Sequence, residues 1–226
     1  MVAVIRIAAV AAVLLAGVAP AVADERVQIT ATDGVQLVGH LDGREGPGIV
    51  FAHTYRGDQR SWTAFAAEMA QSGFRTLTFD FRGYGESGGR KDVATIDRDL
   101  EGAYRFVLGR KIRPVYLVGA SMGGTAVLVV AARVPVAGVA TLSAPTAFQG
   151  LDAAAAVAKL SAPALFVAAE SDTAAADAAH EFATRIAAPK TLLLVPGTDH
   201  GTALLDGPQS AAVKRALRTF LTAPSP

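Results

Sequence analysis

Val115-Tyr116-Leu117-Val118-Gly119-Ala120-Ser121-Met122-Gly123-Gly124 is an apolar run that ends in G-x-S-x-G and passes directly into the helix-like stretch Thr125 to Arg133. A short apolar run bounded by turn residues reads as a buried strand, so Ser121 stands at a strand-to-helix junction. A tight turn at that junction pushes the hydroxyl out above the sheet, the arrangement known as a nucleophile elbow. Gly119 and Gly123 flank a backbone that turns so sharply that a β-carbon at either place would collide with the neighbouring strand or helix. Met122 would present its backbone N–H at the start of the helix, where unpaired amides and the helix dipole favour a developing oxyanion. A glycine-rich turn of this kind can also serve packing alone. The remainder of the chain therefore has to supply a base and an acid before Ser121 can be read as a nucleophile.

Working outward, Arg26 to Ala31 and Val35 to Leu41 are β-rich stretches joined through Thr32-Asp33-Gly34, which predicts an antiparallel hairpin. Ile49 to Ala52 is an apolar strand ending at His53. Trp62, Phe65, Ala66 and Met69 then recur at helical spacing, with Asp58 as a cap and Gly73 as the stop. Phe74 to Phe81 is the next strand, followed by the turn-rich loop Arg82 to Gly89, and helical periodicity resumes at Ile96, Leu100, Ala103 and Val107. Beyond the elbow the pattern predicts strands at Val136 to Leu142, Ala164 to Ala169 and Thr191 to Val195. It predicts helices at Leu151 to Leu160, Ala174 to Ile186 and from Pro208 onward. Strands that alternate with helices after an opening hairpin predict an α/β fold: a doubly wound, mainly parallel sheet with an N-terminal antiparallel hairpin and helices on both faces.

In such sheets the chemistry gathers in the crevice outside the carboxyl ends of the strands. A serine hydroxyl needs a base to take its proton, and the base needs an acid that fixes its tautomer. Of the four histidines, His40 lies inside the hairpin and His180 inside a helix, so both read as surface or packing residues. His53 ends a strand but leads at once into a loop. His200, in Val195-Pro196-Gly197-Thr198-Asp199-His200-Gly201, follows the last strand directly and is the best base. Asp172, in Glu170-Ser171-Asp172-Thr173, is the favoured acid, with Glu170 on the same loop as its competitor and a helix N-cap as its purely structural role. Asp199 adjoins His200, but successive side chains on extended chain point apart. Tyr55, Tyr84, Pro145 and Phe148 fall on loops at the same edge and are candidate substrate-binding wall residues.

The chain order Ser121, Asp172, His200 resembles the nucleophile–acid–histidine order of the α/β-hydrolase superfamily. His53-Thr54-Tyr55-Arg56-Gly57 resembles its H-G-x-x-G oxyanion loop, Asp80-Phe81-Arg82-Gly83-Tyr84-Gly85-Glu86-Ser87 its D-x-R-G-x-G-x-S turn, and Pro196 to Gly201 its histidine loop. The resemblance implies Ser121 as nucleophile, His200 as general base and acid, and Asp172 as orienting carboxylate. It also implies the backbone N–H groups of Met122 and Tyr55 as oxyanion donors. Thr54 departs from the pattern, standing where the family usually has glycine, which leaves the aim of the Tyr55 amide less defined. Arg82 and Glu86 read as pins of their loop. Between Ser143 and Pro163 there is room for little more than the crossover helix, so a lidless, open site is expected.

At 226 residues the chain fits one domain able to bury a full core. Its hydrophobic content of 51% is raised by the start of the chain, where Arg6 precedes the apolar run Ile7 to Ala16 and small residues follow at Ala21-Val22-Ala23. This order reads as a signal peptide (1–23) cut after Ala23, which predicts a secreted or periplasmic protein; an uncleaved membrane anchor is the competing reading. Residues 24–226 then form a single domain without a cap domain, with no stable membrane span after processing. The 21 basic residues include Arg6, so the remainder balances the 20 acidic ones, which argues against a nucleic-acid partner. The absence of cysteine excludes disulfides, thiolate metal sites and a cysteine nucleophile, and neither metal nor organic cofactor is expected. The leading reading is an exported serine hydrolase, a carboxylesterase acting on a small-molecule ester. A thioesterase, an amidase or peptidase, an acyltransferase and a non-catalytic hydrolase-like binding protein stay open.

Overall fold

The computed structural model describes residues 24–223; the leader expected at residues 1–23 lies outside them. The chain forms strands β1 (Glu25–Thr30), β2 (Gln36–Asp42) and β3 (Gly48–Ala52), helix α1 (Thr63–Gln71), β4 (Arg75–Phe79), α2 (Ile96–Gly109) and β5 (Val115–Ala120). It continues through α3 (Met122–Ala131), β6 (Gly138–Leu142), β7 (Ala147–Phe148), β8 (Leu151–Asp152), α4 (Ala153–Val157), β9 (Ala164–Ala169), α5 (Thr173–Arg185), β10 (Lys190–Val195) and α6 (Ser210–Thr222). Eight strands make one sheet in the order β1-β2-β4-β3-β5-β6-β9-β10. The pairs β1–β2 and β2–β4 are antiparallel and the remaining pairs are parallel. Among the described residues no helix is long and apolar enough to cross a membrane.

The central strands are apolar throughout because both faces are covered. In β3, Val50 and Ala52 pack into one core with residues of α2, α3, α4 and α5, while Ile49 and Phe51 pack into the other with Phe65 and Met69 of α1 and Leu217 of α6. Strand periodicity sends alternate residues to opposite faces. The crossover from β3 to β4 therefore carries α1 on one side, and that from β4 to β5 carries α2 on the other. Strand order reverses about β3, and the carboxyl ends of β3, β5, β9 and β10 open on one edge, as ligand crevices of such sheets do.

Two expectations need correction. The predicted helix from Leu151 to Leu160 begins as a strand: Leu151 pairs with Phe148 and Asp152 with Ala147 across a tight turn in which Gln149 and Gly150 take φ of 43° and 99°. Only Ala153–Val157 is helical, capped by Asp152, whose carboxylate accepts the Ala155 N–H at 2.9 Å. The alanine run carries helix propensity, but the hairpin depends on left-handed backbone at Gln149, a residue with no special preference for it. Pro208 lies in the turn before the last helix, which begins at Ser210.

The loop after β4 is braced by buried charge. Arg82 grips Asp99 of α2 at 2.6 Å and 2.9 Å and Asp33 of the β1–β2 turn at 2.9 Å, and Asp99 also accepts the Arg82 backbone N–H. Asp99 is fully buried and the Arg82 side chain nearly so. Removing one member of a buried pair strands the other without a partner. Asp99→Asn is therefore expected to lower the unfolding free energy by about 3–5 kcal/mol in urea titrations; a loss no larger than the roughly 1 kcal/mol of an exposed pair would show that solvent screens the contact.

Candidate active site

Ser121 sits between β5 and α3 with φ 51° and ψ −119°, a backbone region that costs a non-glycine residue about 1–3 kcal/mol. The surroundings hold it there. Its N–H donates to the Leu142 carbonyl of β6 at 2.8 Å, and its carbonyl accepts the Thr125 N–H at 3.0 Å. A β-carbon on Gly119 would collide with the Gly123 backbone, one on Gly123 with the carbonyls of Ala52 and His53, and one on Gly124 with the Ala144 side chain. Gly119 and Gly123 are thus imposed by close backbone approach, and Gly124 by the Ala144 methyl.

His200 and Asp172 arrive from the loops after β10 and β9. The His200 Nε2 lies 2.8 Å from the Ser121 Oγ and its Nδ1 lies 2.6 Å from the Asp172 Oδ2. Asp172 occupies the cap position of α5, yet its carboxylate makes no cap bond and turns to the histidine instead. Glu170 is exposed, and the Asp199 carboxylate is packed against Gly207. Gly201 follows His200 with φ 61°, and a β-carbon there would lie 3.0 Å from the Thr54 methyl. His40 pairs with Asp24 at 2.8 Å and His180 is exposed on α5.

Met122 is the first residue of α3, and the leading amides of a helix have no acceptor within it. Tyr55 lies on the loop after β3, which is clamped at both ends. Trp62 donates its indole N–H to the Ala52 carbonyl at 3.1 Å, and Asp80 accepts from both the backbone and the side chain of Gln59 at 2.9 Å. Thr54 is not among the residues with positive φ, so a β-carbon is accommodated without backbone strain. Its methyl faces Gly201 and its hydroxyl faces Gly57, filling space that two glycines leave open. The threonine and these glycines make a compensated set, a pairing across the sheet edge that the local motif does not disclose.

His53 has a role that its position alone did not reveal. It is fully buried, its Nε2 accepts the Phe81 N–H at 3.1 Å, and its Nδ1 donates to the Thr54 carbonyl at 2.8 Å. The ring is therefore neutral and protonated on Nδ1, a strut between the end of β4 and the candidate oxyanion loop. Tyr84 and Phe81 pack edge-on against it, each at 4.9 Å. Tyr84 is buried with its hydroxyl on the Met122 sulfur at 3.8 Å, and burial pushes its phenol up to about 12. It backs Tyr55, which is exposed and meets Phe148 of the β7–β8 hairpin at 5.6 Å. Pro145 is partly buried, and its carbonyl accepts the Thr125 hydroxyl at 2.9 Å.

The profile of the family described as alpha/beta hydrolase fold matches residues 47–196, more than half of the chain. The chain belongs to this family. Among curated proteins it resembles the uncharacterized protein YfhR of Escherichia coli, 31% identical over 119 residues, a match that covers 48% of this chain and only 42% of YfhR. Among solved structures it resembles the esterase Pf2001 of Pyrococcus furiosus, with a TM-score of 0.79 and 18% identity over 88% of this chain and 90% of that one. It also resembles a dienelactone hydrolase of Anabaena variabilis, with a TM-score of 0.75 and 22% identity over 88% and 97%. At these identities the structural neighbours show a shared fold.

Burial lowers the pKa of His53 from its ordinary value, whereas the unfolded chain protonates it near pH 6.5, so the unfolded state binds more protons on the acid side. The stability that depends on the neutral ring is complete above about pH 6.5 and declines as the pH falls below it. His53→Gln should flatten that decline between about pH 5 and 8 in urea titrations and lower stability at the alkaline end by about 1–3 kcal/mol; parallel curves for the two proteins would contradict the strut.

Proposed function

We propose that the chain is an exported serine hydrolase, a carboxylesterase that cleaves small esters through an acyl-enzyme. The observation that carries the reading is the unbroken line of hydrogen bonds from the Ser121 Oγ through the His200 imidazole to the Asp172 carboxylate, at 2.8 Å and 2.6 Å. The Ser121 Oγ attacks the ester carbonyl while His200 Nε2 takes the hydroxyl proton, and Asp172 stabilises the resulting imidazolium through Nδ1–H. The amides of Met122 and Tyr55 receive the oxyanion. The tetrahedral intermediate collapses as His200 returns the proton to the departing alkoxide, which leaves as alcohol. Water then attacks the acyl-enzyme with His200 again as base, releasing the carboxylic acid and regenerating Ser121.

Family membership supports hydrolase chemistry, and the name of the Pyrococcus furiosus neighbour supports ester substrates. Tyr55 and Phe148, in ring contact at 5.6 Å, offer an apolar wall for the acyl or alcohol group, with Tyr84 edge-on to Tyr55. Residues 143–163 hold only the short hairpin and α4, which supports an open site suited to small esters.

Ser121→Ala should reduce hydrolysis of short-chain nitrophenyl esters by at least about 10⁴-fold and abolish labelling by a fluorophosphonate probe. Asp172→Asn should reduce kcat on the order of 10³-fold, with Glu170→Gln within about twofold of the wild type; undiminished labelling of the serine variant, or the reverse ranking of the carboxylates, would overturn these roles. Export is tested separately: protein recovered from outside the cytoplasm should begin at Asp24 by intact mass, and a species retaining residues 1–23 would replace cleavage with anchoring.

A further inference from the structure

Several exposed cations of the described chain are engaged by carboxylates. Arg26 pairs with Glu86, Arg110 with Glu25 and Arg185 with Glu181. Others have no such partner. Arg56 of the loop after β3, and Arg90 and Lys91 of the loop after β4, are exposed and have no carboxylate or hydrogen-bond partner among the described residues. Asp92, the nearest acid in sequence, is turned away to accept the Thr95 hydroxyl at 3.0 Å.

Lys91 is the best placed of the three. Its ammonium lies over the Tyr84 ring, 4.0 Å from the centroid, a cation–π contact that positions the charge without neutralising it. Tyr84 in turn touches Met122 through its hydroxyl and Tyr55 edge-on at 6.5 Å. The ammonium is therefore one aromatic ring removed from both residues whose amides would receive the oxyanion. The same Tyr84 ring packs edge-on against His53, with centroids 4.9 Å apart. The supporting backbone is fixed: Gly83 takes φ 70°, donates its N–H to the Gly88 carbonyl at 2.9 Å, and packs so closely on the backbone of Arg90 and Lys91 that a β-carbon would collide with it. The loop after β4 thus folds back to set Lys91 on Tyr84.

From this juxtaposition we infer that Lys91 selects substrates, and that the preferred class is esters carrying a remote anionic group, such as monoesters of dicarboxylic acids. The inference rests on the ester-hydrolase reading of the Ser121 site. The substrate's free carboxylate pairs with the Lys91 ammonium while its ester carbonyl lies at Ser121, and hydrolysis releases the alcohol and the dicarboxylate. Arg56 and Arg90 add to the positive potential that draws such an anion to the crevice.

The test compares kcat/KM for nitrophenyl hydrogen adipate with that for its neutral counterpart, the nitrophenyl ester of adipic monoamide, at low and high salt. Wild-type protein should favour the anionic ester at low salt and lose the preference as salt screens the charge. Lys91→Gln should lower the anionic-to-neutral ratio by about five- to tenfold and Lys91→Arg should retain it. Equal ratios in wild type and Lys91→Gln, with nitrophenol released at a Ser121-dependent rate, would overturn the selection by Lys91 and leave the hydrolase standing. Release from neither ester above the Ser121→Ala blank would overturn the hydrolase reading itself.

Discussion

The closeness with which the elbow is pressed against the end of β3 governs the rest of the site. Gly123 packs on the carbonyls of Ala52 and His53, Gly119 packs on Gly123, and there is no room for a side chain at either place. Because α3 starts in contact with the end of β3, Met122 and the loop that carries Tyr55 are brought to one locality, and Ser121 is held in a backbone conformation that it would not otherwise adopt. The same Ala52 carbonyl accepts the Trp62 indole N–H. One short piece of backbone thereby anchors the elbow, the candidate oxyanion loop and the start of α1.

The loop after β4 holds this locality from the other side. Asp80 ties Gln59 of the neighbouring loop, Ser87 donates to the Asp80 carbonyl at 2.6 Å and accepts the Val38 N–H at 2.9 Å, and Arg82 binds two elements at once. Its glycines are required for close packing: Gly85 (φ 47°) lies against the Asp80 carboxylate, where a β-carbon would not fit. His53 joins the brace as a neutral, buried ring. Charging it would place an ammonium-like group in an apolar site and remove the acceptor of the Phe81 N–H, so burial itself keeps it out of proton transfer. The half-exposed His200 has the opposite surroundings, open to solvent and flanked by a hydroxyl and a carboxylate.

A run of aromatic contacts links the core to the mouth of the crevice, from Phe79 through Phe81, His53 and Tyr84 to Tyr55 and Phe148. Edge-to-face contacts of this kind are directional and add to the area they bury. They give the short β7–β8 hairpin, which has little hydrogen bonding of its own, a fixed seat against the oxyanion loop. The wall and the cation resting on Tyr84 are in this way mechanically continuous with the sheet.

Much of this was legible in the chain itself, because the signals were local. Short apolar runs bounded by turn residues marked the strands, G-x-S-x-G marked a turn that only glycine permits, and the residues just beyond β9 and β10 contained a carboxylate and a histidine in usable order. The purpose of His53, the space that Thr54 fills opposite Gly201 and Gly57, and the hairpin at Ala147 to Asp152 were not legible, since each depends on atoms far away in sequence. The choice of Asp172 over Glu170 shows the boundary most clearly. Sequence placed both on one loop and could favour Asp172 only by position, whereas the folded chain turns the Asp172 carboxylate from its cap position to the His200 ring. Sequence determined the α/β sheet, its elbow and the groups available at its edge, because periodicity and steric demand act over a few residues. Which of those groups meet, and which charge is left unpaired beside them, was decided only by the tertiary structure, because that depends on distances between separate strands.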